Sequence, residues 1–118
     1  MIDTQLIFPV QVFRARFEES QELQKILVPM FQDMEKKDTS PVRYSANGYT
    51  SYGAYTNILL EPGLKELKEF IDETVKKCHE QTRLQGDIRL ESSWFSIMRK
   101  YTYHEEHHHM PSVWSGVY

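Results

Sequence analysis

Apolar and polar residues alternate near the start of the chain, which predicts a β-strand over residues 6–17. Val10 and Val12 share one face of this strand because side chains alternate with a period of two. Pro9 places the strand at a sheet edge or a bulge, since proline cannot donate to a ladder. From Ile88 the pattern indicates strands again, with apolar residues on both faces, which is typical of a strand covered on both sides.

Two other segments repeat apolar residues every three or four positions, and each is predicted to be an amphipathic helix. The first covers residues 20–36, where we expect Ser20 to be the N-cap and Pro29 to kink or interrupt the helix. The second covers residues 62–80 and opens at Pro62-Gly63. Each has a one-sided stripe, so we expect the helices side by side on one face of the sheet.

Between the helices, residues 38–57 show no helical period and contain Asn47-Gly48, a strong turn dipeptide. The tyrosines of this loop either wall a binding site or pin a surface loop: Tyr44, Tyr49, Tyr52 and Tyr55. In the second helix, Cys78 lies on the apolar stripe and is interpreted as a small core residue, while His79 is expected to be exposed. The order strand, helix, loop, helix, strands predicts an α+β fold with two helices packed on an antiparallel sheet or barrel.

Composition narrows the class of protein. The 118 residues suffice for at most one domain, and 15 aromatic residues (7 Tyr, 6 Phe and 2 Trp) can fill a core. A formal charge of −3 argues against general nucleic-acid binding. No apolar run approaches a membrane span, and the first residues do not resemble a signal peptide. A single cysteine excludes an internal disulfide, so a reducing cytoplasm is the expected location.

The candidate chemistry lies in a cluster of histidines, where four of the five in the chain fall within residues 104–109. His107 and His109 stand at i and i+2, so in an extended strand they share one face and can reach one metal ion, while His108 points away. Imidazole and carboxylate together are the ligands of Fe(II), Zn(II) and Mn(II). A histidine-rich surface turn is the plain alternative, since His-x-His alone is a weak motif.

The context of this pair resembles a signature. Trp94-x-Ser96 precedes His107-x-His109, and Ser112, Ser115, Gly116, Val117 and Tyr118 follow. This pattern resembles that of 2-oxoglutarate/Fe(II) oxygenases of phages and bacteria, a family within the prolyl-hydroxylase-like group. The Phe8-Pro9 strand is similar to that family's N-terminal strand. The resemblance departs in three places: Met110 stands where the family has proline, Ser96 where Asn is common, and Tyr101 where a small residue is common.

The resemblance implies a double-stranded β-helix, or jelly roll, of which residues 1–118 would be the N-terminal portion with the C-terminal strands missing. His107 and His109 would be metal ligands for Fe(II), and Ser115 and Tyr118 would lie along the 2-oxoglutarate pocket. The family's distal histidine and its 2-oxoglutarate-binding arginine would follow Tyr118. The implied reaction couples oxidative decarboxylation of 2-oxoglutarate to oxidation of a substrate C–H bond; the substrate is unknown. We expect Ser115-Gly116-Val117-Tyr118 to be an unfinished strand, paired with a neighbouring segment or another chain as a homo-oligomer.

Two alternatives stand beside this hypothesis. One is a catalytically incompetent relative, a metal-binding or structural module that keeps the fold without the chemistry. The other is a cupin-like metalloprotein in which His104, Glu105 or Glu106 completes the metal site.

Overall fold

The computed structural model describes residues 10–39, 41 and 47–118. Within them the chain is α+β, with two helices and a small antiparallel sheet: α1 (Ser20–Lys37), β1 (Tyr49–Thr50), α2 (Lys65–Glu80) and β2 (Ser96–Ile97). Three 3₁₀ turns connect β1 to α2 at Ser51–Gly53, Ile58–Leu60 and Pro62–Leu64. In the sheet, Tyr49 lies opposite Ile97 and Thr50 opposite Ser96.

Both predicted helices are confirmed. The stripe of α1 buries Leu23 and Leu27, and that of α2 buries Leu67, which is 3% exposed, together with Cys78, as expected for a core thiol. Phe70 of α2 is half-buried and packs against the same core. Apolar spacing predicted these faces correctly because burial of a single stripe is what stabilises a helix of this length.

The predicted N-cap of α1 is wrong, and the predicted interruption at Pro29 does not occur. Ser20 is the first helical residue, and Glu19 occupies the N-cap position. The Ser20 N–H donates to the Phe17 carbonyl at 3.3 Å, so the helix starts one residue earlier than an N-cap at Ser20 would allow. The helix also continues through Pro29 to Lys37 without interruption. Pro29 and Lys25 are exposed, so water can bond the Lys25 carbonyl that Pro29, which lacks an N–H, leaves without its helical donor.

The predicted N-terminal strand is wrong over the part that can be assessed. Residues 6–9 lie outside the described residues, and residues 10–17 form no strand. Val10 and Val12 are 88% and 77% exposed, so the alternating face is largely open to solvent. Phe13 and Phe17 instead make the contacts of this segment, against Trp114 and Phe70 respectively.

The strands predicted after Ile88 are much shorter than expected, because β2 holds only Ser96 and Ile97. A parallel bridge between Asn57 and Ser93 continues the pairing beyond the sheet. The Ser51 N–H donates to the Phe95 carbonyl at 2.9 Å, and the Ile58 N–H donates to the Ser93 carbonyl at 2.9 Å. Residues 92–97 are thus held by the loop that precedes α2, and this fixes which side chains face the core.

The core contains buried apolar residues of both helices, β1, the second and third 3₁₀ turns and two extended segments: Phe17, Leu23, Leu27, Tyr49, Ile58, Leu59, Leu64, Leu67 and Phe95. Tyr49 and Phe95 belong to this set, and their ring centroids are 5.6 Å apart. The tyrosines of the loop over residues 38–57 therefore have different environments. Tyr49 belongs to the core, Tyr52 is exposed, and Tyr44 lies outside the described residues.

Candidate functional site

The candidate site is positioned by the extended segment that contains Phe95. Phe95 points into the core and is 6% exposed, so its neighbour Trp94 points the opposite way by strand alternation. The Trp94 ring contacts Tyr52 at a centroid distance of 5.0 Å and His109 at 5.3 Å. The Trp94 ring therefore lies between Tyr52 of the loop and His109 of the histidine cluster.

A tight turn separates Trp94 from the histidines. The Thr102 N–H donates to the Arg99 carbonyl at 3.0 Å, and Tyr101 between them has a left-handed φ of 67°. Arg99 donates to the Glu35 carboxylate of α1, and this hydrogen bond raises the pKa of the Arg99 guanidinium above its ordinary value. Arg99 also donates to the Asn47 carbonyl at 3.0 Å, so the start of the turn is joined to two other parts of the chain.

His107 and His109 lie together, as strand alternation predicted, although residues 103–109 form no strand. Their ring centroids are 4.8 Å apart and their planes are nearly perpendicular, at 86°. The His104 ring is 6.1 Å from that of His107. His108 is exposed to solvent.

His107 is oriented by the backbone. Its Nδ1 lies 2.8 Å from the Glu105 carbonyl oxygen, which can only accept, so Nδ1 carries the proton. In the neutral ring the lone pair is then on Nε2. Metal-binding histidines commonly have this arrangement, in which one nitrogen donates to a carbonyl and the other faces the ion.

The spacing of the pair suits a shared metal ion. Two imidazoles bound at about 2.1 Å, with about 90–110° between the bonds, place their centroids roughly 4.6–5.3 Å apart. The observed 4.8 Å lies in this range. The ring separation is therefore one that two ligands of a single metal ion would have. No group of three or more His, Cys, Asp or Glu side chains that could hold a metal occurs within residues 10–39, 41 and 47–118, so neither His104, Glu105 nor Glu106 completes the set there.

Ser115 and Tyr118 are the two residues predicted to contact 2-oxoglutarate. Tyr118 packs against Phe17 at a centroid distance of 6.3 Å and lines an open groove with residues of α1: Ser20, Gln24, Leu27, Val28 and Phe31. Ser115 is exposed. Residues 115–118 pair with no strand in the described part of the chain, so the expected unfinished strand does not form there.

A second aromatic cluster was not predicted. Trp114 donates its indole N–H to Nδ1 of His79 at 3.2 Å, and its ring packs on Phe13 at 5.6 Å. The expectation that His79 is exposed is therefore wrong; the residue is half-buried, with a partner at each ring nitrogen. The helical pattern could not show this, because the partners come from 35 and 7 residues further along the chain.

Comparisons with models of protein families, with curated proteins and with solved structures find no match to this chain. In the described residues, neither helix has the length and apolar content needed to cross a membrane.

Proposed function

We propose that the chain belongs to an Fe(II)- and 2-oxoglutarate-dependent dioxygenase, in which His107 and His109 supply two of the metal ligands. The observation that supports this most directly is the 4.8 Å approach of the two rings, with His107 oriented through the Glu105 carbonyl. The sequence between Trp94 and Tyr118 also supports the proposal, because it resembles the oxygenase signature. A jelly roll completed around this segment is part of the same proposal.

The remaining groups must come from outside the described residues, since those residues assemble no third ligand. When bound, Fe(II) and 2-oxoglutarate would supply the oxidising chemistry, with open metal positions for the co-substrate and oxygen. The residues of this chain would fix the two imidazoles, and Trp94 would shield one side of His109 from water. Ser115 and Tyr118 stay predicted contacts of the co-substrate.

The test is anaerobic titration of the full coding-length protein with Fe(II) and then 2-oxoglutarate, followed by measurement of 2-oxoglutarate-dependent succinate release in air. We expect a charge-transfer absorption band that requires both Fe(II) and 2-oxoglutarate, because 2-oxoglutarate would bind to the iron. His107→Ala and His109→Ala should abolish the band and the turnover, whereas His108→Ala should keep both. Equal loss from all three variants would indicate unfolding of the segment and contradict the assigned roles.

A second candidate is a metal-binding or structural module of the same fold without catalysis. It is favoured by one specific observation, the absence of a three-member ligand group among the described residues. This module would bind a divalent ion through the histidine pair but show neither the 2-oxoglutarate band nor succinate release. The same titration therefore distinguishes the two.

A further inference from the structure

The hydrogen bonds of His79 define its protonation state. The indole N–H of Trp114 can only donate, so Nδ1 of His79 must present a lone pair to it, at 3.2 Å. Nε2 of His79 lies 3.1 Å from the Gly86 carbonyl, which can only accept, so Nε2 must carry a proton. Only the neutral ring with its proton on Nε2 satisfies both contacts.

A second proton would break one of these contacts. It would have to enter at Nδ1, where it would face the indole N–H, and two donors cannot bond each other. The contact to Gly86 would persist, because Nε2 still donates. Protonation of His79 therefore acts selectively on Trp114, and an imidazole is the side chain that changes charge between about pH 5 and 8.

Trp114 belongs to the C-terminal segment (residues 110–118), which begins directly after His109. This segment exposes much of its apolar surface, including Met110, Val113 and Val117. Within the described part of the chain, two aromatic side chains join it to other segments: Trp114, through His79 and Phe13, and Tyr118, through Phe17. Loss of the Trp114 hydrogen bond thus weakens one of these attachments and leaves it the Phe13 contact alone.

We propose that His79 is a pH-sensitive switch for the C-terminal segment, holding Trp114 against α2 when neutral and releasing it when protonated. Charged residues follow each partner of the contact in the sequence: Glu80 and Arg83 follow His79, Asp87 follows Gly86, and Arg14 follows Phe13. All four are exposed. Solvent screens their fields, so the hydrogen bond from Trp114 depends on the ring nitrogens of His79. The switch does not depend on the proposed metal chemistry.

The experiment is an NMR titration of the ¹⁵N-labelled full chain from pH 8 to pH 5. The chain has two indole N–H groups, and Trp114→Phe assigns their signals. We expect the Trp114 indole signal to move in step with titration of the His79 ring. Exchange of the Trp114 indole N–H with solvent, corrected for intrinsic pH dependence, should rise about fivefold, since the one hydrogen bond that it donates contributes about 1 kcal/mol.

His79→Asn is the matched control. Its side-chain oxygen can accept from the indole in place of Nδ1 but does not titrate, so the Trp114 signal should become independent of pH. The Trp94 signal is the internal reference and should show the same behaviour in this variant as in the unmodified chain, because Trp94 lies in a different cluster. His79→Phe removes the acceptor and should show the low-pH exchange rates already at pH 8. A Trp114 signal that ignores His79 titration in the unmodified chain, or that titrates unchanged in His79→Asn, would overturn the proposal.

Discussion

Phe31 of α1 and Phe95 stack face to face, with ring centroids 3.9 Å apart and planes within 3° of parallel. This pair joins the first helix to the segment that carries Trp94 one residue earlier. Because Phe95 is held inward, Trp94 is held outward against His109. The position of the candidate metal ligands thus depends on a core contact made far away in the sequence.

Replacement of Phe95 by Ala should lower the free energy of unfolding by about 3–5 kcal/mol, the usual cost of removing a buried phenylalanine ring. Phe31→Ala should cost less, because Phe31 is only half-buried. The double variant should reveal a coupling of about 0.5–1.5 kcal/mol for the ring pair. Urea unfolding of the four proteins measures all three quantities, and additive losses would show that the rings do not interact.

The stability of the fold should fall at alkaline pH through Tyr49. Burial of its hydroxyl, and secondarily the hydrogen bond that it donates to Asp38 at 2.9 Å, raise the pKa of Tyr49 well above its ordinary value. The folded state therefore keeps a proton that the unfolded chain loses above about pH 10. The contribution is complete below that pH and declines as the pH rises further.

Tyr49→Phe tests this sign. Other tyrosines and lysines titrate in the same range, so the informative quantity is the difference between the two proteins. The loss of unfolding free energy between pH 9 and pH 11, measured with urea, should be smaller for Tyr49→Phe than for the unmodified chain. An equal loss of unfolding free energy in the two proteins would contradict the assigned burial of the Tyr49 hydroxyl.

Tyr101 offers a test of backbone geometry. It has a φ of 67° in the Arg99–Thr102 turn and its side chain is 86% exposed. A left-handed conformation costs a residue with a Cβ roughly 1–2 kcal/mol, and glycine avoids this cost. Tyr101→Gly should therefore be more stable than Tyr101→Ala by about 1 kcal/mol, the reverse of the order expected in a helix. Thermal unfolding of both variants measures the order; a more stable Ala variant would contradict the left-handed turn.

How far the sequence predicts this structure depends on the range over which each signal acts. Leu23, Leu27 and Leu67 were placed correctly because helical periodicity is local and a single buried stripe satisfies it. Val10 and Val12 were placed wrongly, because alternation predicts a strand only where a partner supplies the ladder. The 16 residues of α2 needed no such partner for their backbone hydrogen bonds.

The candidate site shows the same division. The approach of His107 and His109 follows from their separation of two residues in an extended chain, so the sequence could predict it. The packing of Trp94 on His109 and the bond from Trp114 to His79 depend on how distant segments fold back. Nothing local to Trp114 or His79 indicates the other, and the prediction of an exposed His79 failed for this reason.

Metal binding at the histidine pair should be visible through Trp94. The Trp94 ring lies 5.3 Å from that of His109, so a paramagnetic Co(II) ion held by His107 and His109 should quench Trp94 emission. Trp114 packs on Phe13 and His79 in a different cluster, and its emission should change less.

Trp94→Phe and Trp114→Phe, each with one remaining tryptophan, separate the two signals. His107→Ala or His109→Ala in the Trp114→Phe background should weaken Co(II) affinity by at least about tenfold, because loss of one ligand costs more than the 1.4 kcal/mol that this factor represents. His108→Ala should leave the titration unchanged. Quenching that persists in His107→Ala and His109→Ala alike would place the ion elsewhere and remove the observation on which the proposed metal centre depends.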